Sequence, residues 1–525
     1  MSPTAASAEP HLSLPRRGRL RTFKAMSFRI VWSLLAALSL ALPAVAQLTE
    51  RQTKALDGIA RERYSTRWTE LGTNELATLR RRADGYIANL RDHHLVGGLV
   101  ASIRYPDKER TSVVRYEALE DSAAWTGLLL AAHAYRYAVT RDDRSVVGDN
   151  PSLPAIRDLL TGIESLLRAT GRPGYLPRFV GRAADPAYAK FYTAYGGEDP
   201  ARPGFGRLAF PGTGTNSGIV WLGGPSRDQH AALNLGFAAV WQFVRNDPKI
   251  RERVAAAAVL VIDRLEADKW LLDDGRGNVT FVTPALATAV LRTGAVVRPD
   301  RFAALYVQKT RAFLDLPATG LVRYGDSRPG AFTAVNLLAL SRMETNETRR
   351  LTYQDRLTQL WRGSGPQMNP LVAACYISAF NPTPNDFTAQ ATLQGVLSQY
   401  PDAPRWAAAH DASGDTNVLK IEVGGEKWAQ FAQPLDRRPV APFQWVRSAY
   451  QLGGGEDAPV AHPGVDYLLA FWMAREASVI PNEDFAPTDK SAPVARRRSP
   501  ATNAPALSPR TAPGSGTNAP HRPKP

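Results

Sequence analysis

The chain has 525 residues, a formal net charge of +15 and one cysteine, Cys375. A lone cysteine excludes an internal disulfide framework and a cysteine metal site. The charge does not point to nucleic acid, because it gathers at the ends: six basic residues and one acidic in 1–46, and seven and three in 481–525, leave +6 for residues 47–480.

Residues 26–47, MSFRIVWSLLAALSLALPAVAQ, carry the parts of a secretory signal. Arg29 supplies the basic start, residues 30–42 are apolar apart from two serines, and Ala44-Val45-Ala46 is a small-residue cleavage site. The run falls short of the ~20 apolar residues that span a bilayer. Cleavage after Ala46 and a periplasmic or secreted protein are expected, with Met26 as an alternative start and no transmembrane span in the mature chain. Three parts follow: an N-terminal extension and signal (1–46), a folded domain (47–480) and a Pro/Ala/Arg-rich tail (481–525) whose composition predicts disorder.

The middle shows little strand alternation and two kinds of predicted helix. Amphipathic ones lie at 72–92, 152–170, 248–268, 299–315, 348–361 and 386–399. In the second of these, Ile156, Leu159, Leu160, Ile163, Leu166 and Leu167 keep the spacing of one helix face. Helices apolar nearly all round lie at 118–140, 226–246, 284–294, 330–343, 368–380 and 464–478, and such helices must be buried on every side. The two kinds alternate strictly. Six buried helices ringed by six half-exposed ones describe an all-α (α/α)6 toroid, a two-layer solenoid closed on itself.

Two connections, 171–225 and 400–463, are too long to be simple turns and are rich in aromatic residues. Both lead into N-termini of predicted inner helices, so both should lie on the face where those N-termini converge. Polar residues gather there: Glu117, Glu120 and Asp121; Arg227, Asp228, Gln229 and His230; Tyr324 and Asp326; Asn369; His462 and Asp466. Two carboxylates across such a funnel suit acid/base attack on a glycosidic bond. Asp228 and Asp121 are the candidate catalytic pair. Arg178 and Arg227 are candidate clamps for a uronate or sulfate, Trp125 and Trp221 candidate sugar platforms, and His230 and Asp466 further substrate contacts. A plainer reading covers part of this set. Ser226 and Gln229 form a capping box, and Asp228 in the first turn complements the helix dipole. No cofactor and no metal are expected: His93-His94 lacks a spaced third ligand, Asp273-Asp274-Gly275 reads as a turn, and no phosphate loop, dinucleotide fingerprint or nucleophile elbow occurs.

EDSAAWTGLLLAAHAYRYAVTRD (120–142), GRPGYLPRFV (171–180), PSRDQHAALNLGFAAV (225–240) and GVDYLLAFWMARE (464–476) resemble segments of exported bacterial proteins of the six-hairpin glycosidase-like class. The architecture this implies is similar to that of the unsaturated glucuronyl and rhamnogalacturonyl hydrolases. In those families aspartates near inner-helix N-termini protonate and hydrate an unsaturated uronide, and the nearest matches by topological position are Asp121 and Asp228. The expected function is an exported carbohydrate-active enzyme, a glycoside hydrolase before a polysaccharide lyase, acting on an oligo- or polysaccharide, anionic or neutral. The rival is a non-catalytic envelope protein that binds glycan or peptide on the same fold.

Overall fold

The computed structural model describes residues 72–141, 150–187, 209–274, 278–314, 327–364 and 368–481. The signal-like stretch, the C-terminal tail beyond Pro481, Tyr324, Asp326 and the aromatic residues between Tyr188 and Phe205 lie outside them. The described residues are mostly helical, with twelve α-helices: α1 (Thr73–Asn89), α2 (Ser122–Thr140), α3 (Ser152–Arg168), α4 (Arg227–Phe243), α5 (Pro248–Ala267), α6 (Pro284–Val297), α7 (Pro299–Leu314), α8 (Arg328–Met343), α9 (Glu347–Ser364), α10 (Pro370–Ser378), α11 (Phe387–Ser398) and α12 (Val465–Glu476). Among them no helix is long and apolar enough to cross a membrane.

Each helix coincides with one expected from hydrophobic spacing, and the local causes are visible. On α3 the six apolar residues at helical spacing are all at most 1 % exposed, while Arg157, Asp158 and Glu164 stay outside the core. All nine residues of α10 are buried, as are eleven of the twelve in α12. Starts are set by caps. Asp247, Thr283 and Asn369 each accept from the first turn of α5, α6 and α10, and each is followed by a proline whose fixed φ suits the first helical position.

The even-numbered helices pack on one another in chain order, α2 on α4, α4 on α6, α6 on α8, α8 on α10 and α10 on α12, and α12 returns to α2. Odd-numbered helices lean on this circuit from outside, α3 on α2, α7 on α6, α9 on α8 and α11 on α10. The α2–α4 crossing is close. A Cβ on Gly127 would lie 2.6 Å from backbone atoms of Ala232 and Leu233, and one on Gly236 would lie 2.6 Å from the Gly127 carbonyl oxygen. Only glycine lets the two backbones meet there.

Short strands, which the sequence pattern did not show, join the helices. Fifteen short strands are present among the described residues. β5 (Phe179–Arg182), β7 (Ile219–Leu222) and β6 (Ala209–Pro211) form a sheet inside the first long connection. β10 (Arg405–Trp406) and β15 (Val460–His462) come from the second, and pair with β3 (Ser102–Arg104) and β4 (Arg115–Glu117) in the order β10-β15-β3-β4. All are antiparallel. Strands of two to four residues are too short for a period of two to show, and their partners lie up to 358 positions away, as in Ile103 opposite Ala461. A correction concerns α2, expected from residue 118. Ala118 sits at φ 54° and a 3-10 turn, Leu119–Asp121, intervenes before the helix starts at Ser122.

Candidate functional site

The N-termini of α2, α4 and α8 bring charged side chains together. Asp121 is the N-cap position of α2, but its carboxylate makes no capping bond. Its Oδ1 lies 3.4 Å from Arg328 Nη1 and 3.7 Å from Arg178 Nη1. Arg328 also reaches α4, with Nε 3.9 Å from Asp228 Oδ2. One guanidinium thus touches both aspartates. Their oxygens lie at most about 10 Å apart, the outer reach of the carboxylate pairs that cleave glycosidic bonds. Arg328, at the start of α8, is the member of this cluster that sequence reasoning missed; nothing in its spacing sets it apart from the other arginines that open helices.

Arg178 is built into the scaffold. Its Nη1 donates to the Glu120 carbonyl at 2.6 Å and its Nε to the Gly224 carbonyl. Its own backbone is held by Leu222 and Ala123. The Glu120 carbonyl also accepts from Gln229 Nε2 at 3.1 Å. Arg178 therefore ties the first long connection to the starts of α2 and α4, and lies beside Asp121 as part of the wall. Arg227 is exposed on the first turn of α4. The capping box is formed, with Gln229 N–H donating to Ser226 Oγ and Ser226 N–H to Gln229 Oε1.

Four other expected contacts stand elsewhere. His230 is buried and its Nδ1 donates to the Ser226 carbonyl at 2.8 Å. Burial pushes its pKa down to about 4, so it is neutral at pH 7 and needs no counter-charge. It faces Leu233, Asn234, Phe237 and Val290 across a cavity of only about 10 Å³, a seam rather than a substrate contact. Trp125 is 3 % exposed, and the ring of Phe443 lies parallel on it at 4.6 Å, so that face is closed to a sugar. Trp221 is half-buried and stacked on its cross-strand partner Phe210 at 4.4 Å. Asp466 is fully buried. It accepts from Arg405 Nη1 at 2.6 Å, the Gln444 amide at 2.9 Å and the Tyr467 amide at 3.0 Å. His230 is satisfied within its own helix turn, by Ser226, whereas Asp466 is held by Arg405 and Gln444, which are distant in the chain.

Next to Glu120 opens a cleft of about 630 Å³, between the β3–β4 edge and the segments 440–447 and 455–456. That volume lies within the range of small-ligand sites. Glu117, Glu120, Glu456, Arg115 and Arg447 line it, with Tyr116. Glu117 accepts from both Arg104 and Arg115, and Arg104 Nη2 also donates to Glu456 at 2.9 Å. At the back, Ser102 Oγ is 3.0 Å from His462 Nδ1, and burial holds the His462 imidazole neutral. Neither Asp121 nor Asp228 is part of the lining; Glu120, the neighbour of Asp121, joins the two features. Arg447 and Glu456 were missed, the one visible signal being the unusual Gly453-Gly454-Gly455 run before Glu456.

Among the described residues no group of three or more His, Cys, Asp or Glu side chains is placed to hold a metal ion. Asp274 and Asn278 close the β8–β9 hairpin (Leu271–Asp273, Val279–Phe281), with Asn278 N–H and Nδ2 donating to the Asp274 carboxylate at 3.1 and 2.8 Å. No protein-family model matches the chain, and no curated protein matches it.

Proposed function

We propose that the protein is an exported carbohydrate-active enzyme, a glycoside hydrolase built on an (α/α)6 toroid, with Asp121 and Asp228 as its acid/base pair. The observation that carries this reading is the shared guanidinium of Arg328, which holds the two carboxylates at the N-termini of adjacent buried helices, one residue from a ligand-sized cleft. The closed circuit of even-numbered helices with odd-numbered ones outside supports the toroid, and the apolar stretch at residues 30–42 supports export. In this reading the glycan lies in the cleft with its scissile bond toward Asp121. One carboxyl group donates a proton to the leaving oxygen while the other carboxylate takes one from the attacking water. Arg328 fixes the spacing between them.

Purified protein screened against neutral and uronate-containing oligosaccharides should release product with at least one class. Asp228→Asn should lower kcat by about 10²–10⁴ with the fold intact, the usual weight of a general acid or base. Full turnover in that variant would remove Asp228 from the mechanism.

A second reading, binding without turnover, draws on the same contacts. Asp121 sits against two guanidinium groups, an arrangement that also serves as a fixed structural ion pair. Saturable oligosaccharide binding with no product from any substrate would favour it.

A further inference from the structure

The cleft beside Glu120 carries charged side chains on both walls, and most of them answer one another. Glu117 accepts from Arg104 and Arg115, and Glu456 accepts from Arg104. Arg447, on the 440–447 wall, differs. It is exposed and lines the cleft, and no carboxylate or carbonyl group among the described residues pairs with its guanidinium. Arg178 and Arg227, the anion clamps expected from the sequence, are not part of this lining.

An exposed arginine is ordinarily solvated and needs no partner. Arg447 is set apart by its mounting. Its neighbours Trp445, Val446 and Ser448 are all buried, and its own amide donates to the Gln444 carbonyl at 3.1 Å. Gln444 is clamped in turn, with its amide on Asp466 Oδ2 at 2.9 Å and Arg405 Nη2 donating to its Oε1 at 2.6 Å. Trp445 is fixed twice, through its Nε1 to the Asp466 carbonyl and through its own carbonyl from Asn369 Nδ2. The backbone under Arg447 is therefore already ordered. Binding there costs the rotamer freedom of one side chain rather than the ordering of a loop.

We infer that Arg447 selects the ligand of the cleft by pairing with an anionic group on it, a carboxylate or a sulfate ester. The inference rests on the glycan reading above, and adds to it the charge of the substrate and the residue that reads that charge. The guanidinium fork meets either group with two parallel N–H···O bonds. A neutral sugar offers the fork only hydroxyl oxygens, a weaker match. Glu120, on the facing wall, can accept from sugar hydroxyls and so orient the uncharged part of the ligand. Glu117 and Glu456 are held by Arg104 and Arg115, which offsets their repulsion of an anion.

The test is calorimetric titration of the full chain with matched oligosaccharides, product release being followed on the same samples. The set holds uronate-containing members, the same members with their carboxyl groups reduced to alcohols, and O-sulfated forms of the reduced ones. The expected result is saturable binding of an acidic member, the uronate or the sulfated arm identifying the group, with its reduced form bound about tenfold more weakly or worse. Arg447→Met should weaken the acidic member by about tenfold or more, the weight of a hydrogen bond to a charged group. The affinity of the reduced form and the far-ultraviolet circular dichroism should not change. Arg447→Lys should recover part of the loss, since it keeps the charge without the fork. Reduced members bound as tightly as acidic ones overturn the inference, and so does undiminished affinity in Arg447→Met. Equal product from reduced and acidic members overturns it while the glycan reading stands. Acidic binding that Arg447→Met abolishes, with no product from any member, supports it while the hydrolase reading fails. No binding by any member overturns both.

Discussion

At the scale of single residues, burial decides which polar groups can act. His94 and His230 illustrate it. Both are fully buried, each donates through Nδ1 to a main-chain carbonyl, and burial pushes each pKa down to about 4. In the unfolded chain both titrate near 6.5. Between those values the unfolded state binds protons that the folded state does not, so stability is full above about pH 6.5 and falls as the pH drops toward 4. Each histidine adds a loss approaching about 1.4 kcal/mol per pH unit in that window. Urea unfolding at pH 7.5 and 5.0 should show the decline, and His230→Gln should flatten it. An equal slope in His230→Gln would mean that the histidine titrates normally in the fold.

At the scale of elements, the α2–α4 crossing is a joint with no room for a side chain. Gly127→Ala places a methyl group 2.6 Å from the backbone of Leu233, and backbone cannot rotate away as a side chain can. Overpacking of this sort costs about 1–3 kcal/mol or more, and the shift moves the starts of α2 and α4, where Asp121 and Asp228 stand. Gly363→Ala on α9 is the matched control, because a Cβ there meets nothing within 4 Å. It should leave stability unchanged or raise it by up to about 1 kcal/mol. Thermal midpoints of the two variants read the contrast; a Gly127→Ala protein as stable as the control would show that the crossing relaxes.

At the scale of the whole molecule, the buried pair Arg405–Asp466 joins the second long connection to α12. Asp466 receives Arg405 and the Gln444 amide, Arg405 Nη2 donates to Gln444 Oε1 at 2.6 Å, and Trp445 Nε1 donates to the Asp466 carbonyl at 2.9 Å. Asn369, the cap of α10, donates to the Trp445 carbonyl at 2.8 Å. Segment 440–447, one wall of the cleft, thus hangs on a residue expected to touch substrate. Removing one partner from such a pair leaves a buried charge alone, and Arg405→Met should cost about 3–5 kcal/mol. Arg405→Met with Asp466→Leu should recover part of that loss. Hydrogen exchange at the Gln444 amide should quicken in Arg405→Met before global unfolding does; unchanged exchange there would mean that the wall is held by other contacts.

The helices were legible in the sequence because each carries its own signal: the stripe of α3, the all-round apolar surface of α10 and α12, and the cap Ser226 are local facts. The alternation of two helix types followed from them. The strands were not legible, because two to four residues carry too little period and β15 finds β3 across more than three hundred positions. The same holds for the site. Asp121 and Asp228 could be placed at helix starts from sequence, but their meeting at Arg328 depends on three helices packing, and so did the fate of His230, Trp125, Trp221 and Asp466. Polarity near a helix start is written in the sequence. Whether that polar atom faces a cleft, a seam or an arginine is decided by neighbours that only the tertiary structure supplies.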